Sequence, residues 1–148
     1  MAQTTIKAYV DKKNEKYYLT GTCRGFKVEM DMTEESGGTN KGMNPMEMVL
    51  CGLGGCEIMS LISNSKEHKI NIGDVWIELE GDYDTDGATR KKDIRPGFLE
   101  IRCIVHVKSD APEEKVRELV EKMQKSSPVY DTISNAVRLQ VKGVVVEK

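Results

Sequence analysis

Several things are scarce in this sequence, and each shortage narrows what the chain can do. It holds only two histidines, His68 and His106, and they are isolated from one another. Its four cysteines, Cys23, Cys51, Cys56 and Cys103, form no CxxC pair. Zinc sites are built from thiolates and imidazoles at close, regular spacing, so no metal site is expected. The glycine-rich stretch 33–43 carries neither GxGxxG nor GxxxxGK[ST], so it does not read as a phosphate cradle. An excess of one charge is missing too: 22 basic residues face 24 acidic ones, for a formal net charge of −2. That balance argues against a dedicated nucleic-acid or membrane-surface binder. The N-terminus, MAQTTIKAYVDKK, has no apolar core of a signal peptide. No stretch reads as a membrane span. The expected setting is the cytoplasm, where the cysteines stay reduced instead of forming a disulfide framework. There is no internal repeat and no low-complexity tract, and 148 residues suit one domain, residues 1–148, with a real core.

What is present is organised around one stretch, residues 44–66, NPMEMVLCGLGGCEIMSLISNSK. Asn44 is a good N-cap and Pro45 fits the first helical position. Glu47, three residues on, completes an Asn version of the capping box, and Met43 and Met48 occupy the two positions of a hydrophobic staple. Apolar residues from Met48 to Ile62 then cover nearly every face, with few charges before Lys66. A helix this short and apolar all round belongs in a core. Gly52, Gly54 and Gly55 each weaken a helix by roughly 1 kcal/mol against Ala, and close approach of another backbone would justify them. One copy of the chain does not obviously cover such a helix, and the glycines point to a second copy.

Around it, residues 4–11 and 16–22 read as a hairpin turning at Lys13–Asn14. Residues 24–32 alternate, with Phe26, Val28, Met30 and Met32 on one face. Three strands in succession predict an antiparallel meander, followed by the loop 33–43. After the helix, residues 73–83 predict a strand with Val75, Ile77 and Leu79 inward. Residues 97–108 predict its partner, with Leu99, Ile101, Cys103, Val105 and Val107 inward. The connection 84–96 is polar and charged. Ser109 and Asp110 are placed to cap a helix over 112–125 whose apolar stripe is Val116, Leu119, Val120 and Met123. Ser127–Pro128 starts a short helix, and a valine-rich strand over 137–147 ends the chain. The order β-β-β-α-β-β-α-α-β is α+β with mainly antiparallel sheet.

At the level of motifs, Asn44-Pro45, the apolar run and Gly54-Gly55-Cys56 resemble the central helix of the OsmC/Ohr family of hydroperoxide-resistance proteins. The family's first reactive cysteine lies eleven residues after the proline, as Cys56 does after Pro45. Pro45-Met46-Glu47-Met48 is close to the proline-x-glutamate-leucine form of OsmC-like branches. Ser126-Ser127-Pro128-Val129 aligns with the family's Cys-Pro-Val motif, and the order of elements agrees along nearly the whole chain. The resemblance implies an intertwined homodimer, with sheets wrapped around two long central helices and active sites at the subunit interface. It implies reduction of organic hydroperoxides or hydrogen peroxide by a cysteine pair. Two departures stand out. The second family cysteine falls at Ser127, which cannot form the resolving disulfide. The family's thiolate-stabilising arginine maps first to Arg24, then to Arg95, with Lys41 a further cation. In the Ohr branch the carboxylate that holds that arginine directly follows the proline, whereas here Met46 stands there and the acid is Glu47.

The chemistry these residues offer centres on Cys56. A thiolate attacks the O–O bond of a peroxide, an alcohol leaves and a sulfenic acid remains. A nearby cation favours the thiolate, and apolar burial opposes it. Against this stands the ordinary role of a free cysteine as a small core residue. Cys51 is no resolving partner within an intact helix. Five residues give a rise of about 7.5 Å and a turn of about 140°, hence a Cα separation of roughly 9 Å, beyond the ~7 Å a disulfide allows. Cys23, Cys51 and Cys103 read as structural. Glu47 serves as the capping-box acid, a role compatible with holding an arginine. Ser127 reads as an N-cap, and the methionines suit either packing or a soft apolar pocket. The functional expectation is a thiol-dependent peroxidase with Cys56, Glu47 and Arg24 as its site, no cofactor, and an external thiol as reductant. The alternative is an OsmC-like dimer without turnover that binds an apolar ligand or senses redox state. An acyl-transfer reading lacks a base, since His68 lies near the far end of the helix.

Overall fold

The computed structural model describes residues 2–148. It is α+β, and both of its sheets are antiparallel. The chain forms two compact units, one ending at Cys51 and the other spanning Gly52–Lys148.

The first unit is a three-stranded meander in the order β1-β2-β3. Its strands are β1 (Tyr9–Lys12), β2 (Leu19–Cys23) and β3 (Phe26–Met30). The turn after β1 is tied by Asn14, whose Oδ1 accepts from the backbone N–H groups of Lys16 and Tyr18. Between β2 and β3 only Arg24 and Gly25 intervene, because Cys23 pairs with Phe26. Both have positive φ, 53° and 83°, as a type I′ hairpin turn requires. The strands are shorter than the sequence pattern suggests, and β1 begins at Tyr9 and not at residue 4. The apolar face of β3 is also less covered than expected, with Phe26 69% and Val28 37% exposed.

The loop that follows is held by one carboxylate. Asp31 is only 2% exposed. It accepts from the backbone N–H groups of Met32, Thr39 and Lys41 and from the Thr39 hydroxyl. This converts a stretch rich in glycine and short polar residues into a fixed approach to the central helix.

That helix is α1 (Pro45–Glu67). Its start is the expected capping box, with Glu47 N–H donating to Asn44 Oδ1 at 2.9 Å and Asn44 N–H donating to Glu47 Oε2 at 2.8 Å. Two expectations about α1 need correction. The helix is long and apolar enough, by length and composition alone, to cross a membrane, where the sequence pattern predicts no span. A core helix satisfies the same criterion. Nor is it buried all round: the buried residues Leu53, Gly54, Glu57, Leu61 and Ser65 form one stripe at helical spacing. Met59 is 71% exposed, with Val49 and Ile62 at about 40%. A Cβ on Gly54 would come 2.9 Å from the Leu79 side chain, while around Gly52 and Gly55 there is open space. No second backbone approaches these glycines among the described residues.

In the second unit, β4 (Val75–Asp82) and β5 (Glu100–Val107) pair over their whole length, from Val75 with Val107 to Asp82 with Glu100. Their alternation follows the sequence, with Val75, Ile77, Leu79, Ile101, Cys103 and Val105 on the less exposed face. Leu99 falls before β5 and is 56% exposed, not inward. The polar, charged connection contains a one-turn helix, α2 (Thr85–Ala88), which its sequence pattern does not predict; Asp84 caps it by accepting from Asp86 and Gly87 N–H. The amphipathic α3 (Glu113–Ser126) packs Leu119 and Met123 onto Leu61 of α1, with Val75, Val105 and Val107 alongside. Its cap is not the one expected. Pro112 occupies the N-cap position without a side-chain bond, while Ser109 Oγ donates to Asn71 O and accepts from Ala111 N–H. α4 (Pro128–Ser134) starts as expected, with Ser127 Oγ accepting from Tyr130 N–H.

The predicted strand over 137–147 does not form. Residues 136–148 carry no regular structure, and Leu139, Val141, Val144 and Val145 are each more than 80% exposed. A strand is defined by its pairing, and this segment has no partner strand among the described residues.

Candidate functional site

Cys56 sits in the fourth turn of α1, half-buried and free, and its Sγ makes no hydrogen bond among the described residues. It lies beside the glycine-flanked part of the helix where the surface is open. The other cysteines are free as well. Cys51 is exposed and directs its thiol to Met43 Sδ at 3.7 Å.

The remaining expected site residues have separate local roles. Glu47 is engaged as the capping-box acid, and among the described residues it forms no ion pair with an arginine. Arg24 stands in the β2–β3 turn, its guanidinium 5.2 Å from the centre of the Phe26 ring. Lys41 lies over the Tyr18 ring at 4.8 Å. Ser127, the second residue singled out by its motif, is 1% exposed and occupied in capping α4.

The feature that sequence reasoning missed is Glu57, the residue after Cys56. It is 1% exposed, and its Oε2 has no hydrogen-bond partner among the described residues. Burial raises its pKa above the usual carboxylate range. A signal was there to be read: Glu57 interrupts an apolar run at i+4 from Leu53 and i−4 from Leu61, on the stripe that packs inward. Glu57 lines a cavity of about 700 Å³ whose walls include Leu53, Phe98, Ile101, Tyr130 and Ile133. Cys103 lines it too, and burial together with the charge of Glu57 pushes that thiol's pKa up. Two arginines border the cavity. Arg102 is held by Asp82, Glu100 and Glu80, at 2.7, 2.6 and 3.2 Å, which drives its pKa further up. Arg95, the second choice for an activating cation, is exposed and makes no ion pair among the described residues.

Comparison with known proteins agrees with this architecture. The family model described as OsmC-like protein matches residues 38–142, which include α1, Cys56 and Ser127. A Mycoplasma pneumoniae protein named Hydroperoxide reductase is 23% identical over 128 residues, covering 86% of each chain. The crystal structure of an OsmC-like protein from Mycoplasma pneumoniae is similar in fold, with a TM-score of 0.79 at 20% identity over 91% of both chains. So is that of an organic hydroperoxide resistance protein OsmC from Legionella pneumophila, with a TM-score of 0.64 at 20% identity over 90% of this chain and 91% of that one.

Proposed function

The chain belongs to the OsmC-like protein family, and from that premise we propose that it reduces organic hydroperoxides through Cys56, with an external thiol as its resolving partner. One observation carries the reading: within the matched stretch, Cys56 stands eleven residues after the helix-starting Pro45 and remains half-buried, not sealed. The names of relatives, Hydroperoxide reductase and organic hydroperoxide resistance protein, point to the same substrate class.

The proposed chemistry balances without a second protein cysteine. The Cys56 thiolate attacks the outer oxygen of ROOH. The O–O bond breaks, the sulfur is oxidised to sulfenic acid, and the alkoxide takes a proton from solvent to leave as ROH. An external thiol then condenses with the sulfenic acid, releasing water and forming a mixed disulfide. A second thiol displaces Cys56 and leaves as the external disulfide. Ser127 takes no part in this cycle, since a hydroxyl forms no disulfide.

A homodimer in a reducing cytoplasm is part of the same proposal. The uncovered apolar surface of α1 at Val49, Met59 and Ile62, together with the exposed valines of 137–146, supports a second copy as their cover. Arg24 remains the proposed cation, as an exposed side chain fixed by a tight turn.

Turnover of cumene and tert-butyl hydroperoxide with small thiols and with a dihydrolipoyl donor tests the reading. Wild type is expected to turn over with at least one donor, and Cys56→Ser to fall to the uncatalysed rate. Equal rates in the two proteins would defeat it. A second reading is favoured by the buried serine at position 127: a dimer that binds an apolar ligand or senses oxidation, in which Cys56 oxidises once, stoichiometrically, without sustained turnover.

A further inference from the structure

The cavity beside Glu57 is not required by the peroxide chemistry, and its composition is specific. A carboxylate deep in a protein is normally met by several donors or by a cation. Glu57 Oε2 has neither among the described residues, although the residue is only 1% exposed. The oxygen belongs to a residue lining a cavity of about 700 Å³, within the range of small-molecule sites. We propose that this cavity binds an organic ammonium ion with an apolar body, the ammonium resting on the Glu57 carboxylate and the body against Leu53, Phe98, Ile101 and Tyr130.

The choice of an ammonium follows from what the site lacks. Burial opposes the ionised form of Glu57; a water or a hydroxyl would satisfy the open hydrogen bond without offsetting that cost, whereas an ammonium supplies donors and charge together. Phe98 and Tyr130 line the same cavity, and aromatic rings attract cations. The two bordering arginines do not forbid it. Arg102 is already surrounded by three carboxylates, and Arg95 is exposed to water, where its charge is screened.

The proposal is independent of peroxide turnover, so each can fail without the other. The test is calorimetric titration of the full chain at neutral pH with three probes that share a phenethyl body: phenethylammonium, 2-phenylethanol and 3-phenylpropionate. Saturable binding of phenethylammonium is expected, with one per chain and at least tenfold tighter than the other two. Glu57→Gln is expected to weaken it at least tenfold. Ser134→Trp, which narrows the cavity from α4 without altering the core, serves if Glu57→Gln fails to fold, and the same loss is expected. Arg95→Gln is expected to leave the affinity unchanged or improve it. The proposal is overturned by the absence of saturable binding, by equal affinity for the alcohol or the carboxylate, by unchanged affinity in Glu57→Gln or Ser134→Trp, or by a tenfold loss in Arg95→Gln.

Discussion

Two carboxyl groups are almost equally hidden in this chain, Asp31 at 2% and Glu57 at 1% exposure, and their surroundings are opposite. Burial alone would raise the pKa of Asp31. The Thr39 hydroxyl and the backbone N–H groups of Met32, Lys41 and Thr39 outweigh it, and the net shift is downward. Glu57 has burial without compensation, and its pKa rises. The first group is solved locally, by a loop that wraps its donors around an anion. The second is left open on the wall of a cavity. A buried charge that is fully satisfied organises structure; one that is not is where a ligand is to be sought.

The largest effect should come from the apolar residue that frames Glu57 on the α1 stripe. Leu61 is fully buried against Leu119 and Met123, and Leu61→Ala is expected to cost about 2–5 kcal/mol in urea unfolding. Asp31→Ala should come next. It orphans the N–H groups of Met32, Thr39 and Lys41, and hydrogen exchange should show the 32–43 loop loosened. Protection there equal to wild type would show that the loop does not depend on its anion. Asn44→Ala, which removes one half of the capping box on α1, is expected to cost about 1 kcal/mol, read as a shift in the urea midpoint without a change in slope.

The smallest effect is also the sharpest, because the two carboxyls should respond to pH with opposite sign. Asp31 is depressed, so its contribution is present above the unfolded value of 3.8 and is lost as pH falls through its folded value. Glu57 is raised, so the folded state holds its proton more tightly, and stability declines as pH climbs from the unfolded value of 4.5 through its folded one. Glu57→Gln should therefore flatten the decline above that value and leave the acid limb unchanged. If the decline persists in Glu57→Gln, the contrast between the two groups is wrong.

Much of the fold was legible in advance, and the pieces that were share a property. The α1 capping box, the Ser127 cap on α4, the alternation of β4 and the stripe of α3 are set by residues within four positions of one another, or by simple period. The pieces that were not legible depend on distant partners. β5 and residues 137–147 are both rich in branched apolar residues. β5 has β4 beside it and is a strand; the C-terminal segment has no partner strand among the described residues and stays irregular and exposed. Ser109, read as a cap for α3, is drawn off by Asn71, 38 residues away.

The site divides in the same way. Cys56, its distance from Pro45 and the serine at 127 are properties of the linear chain, because a motif is spacing along one helix or one turn. That Glu57 points inward without a partner, that Leu53, Phe98 and Tyr130 enclose a space beside it, and that Arg102 is already taken by three acids could be decided only by folding. Those facts depend on which side of α1 the β4–β5 sheet covers and on what α4 leaves uncovered, and burial is a property of neighbours brought together from far apart.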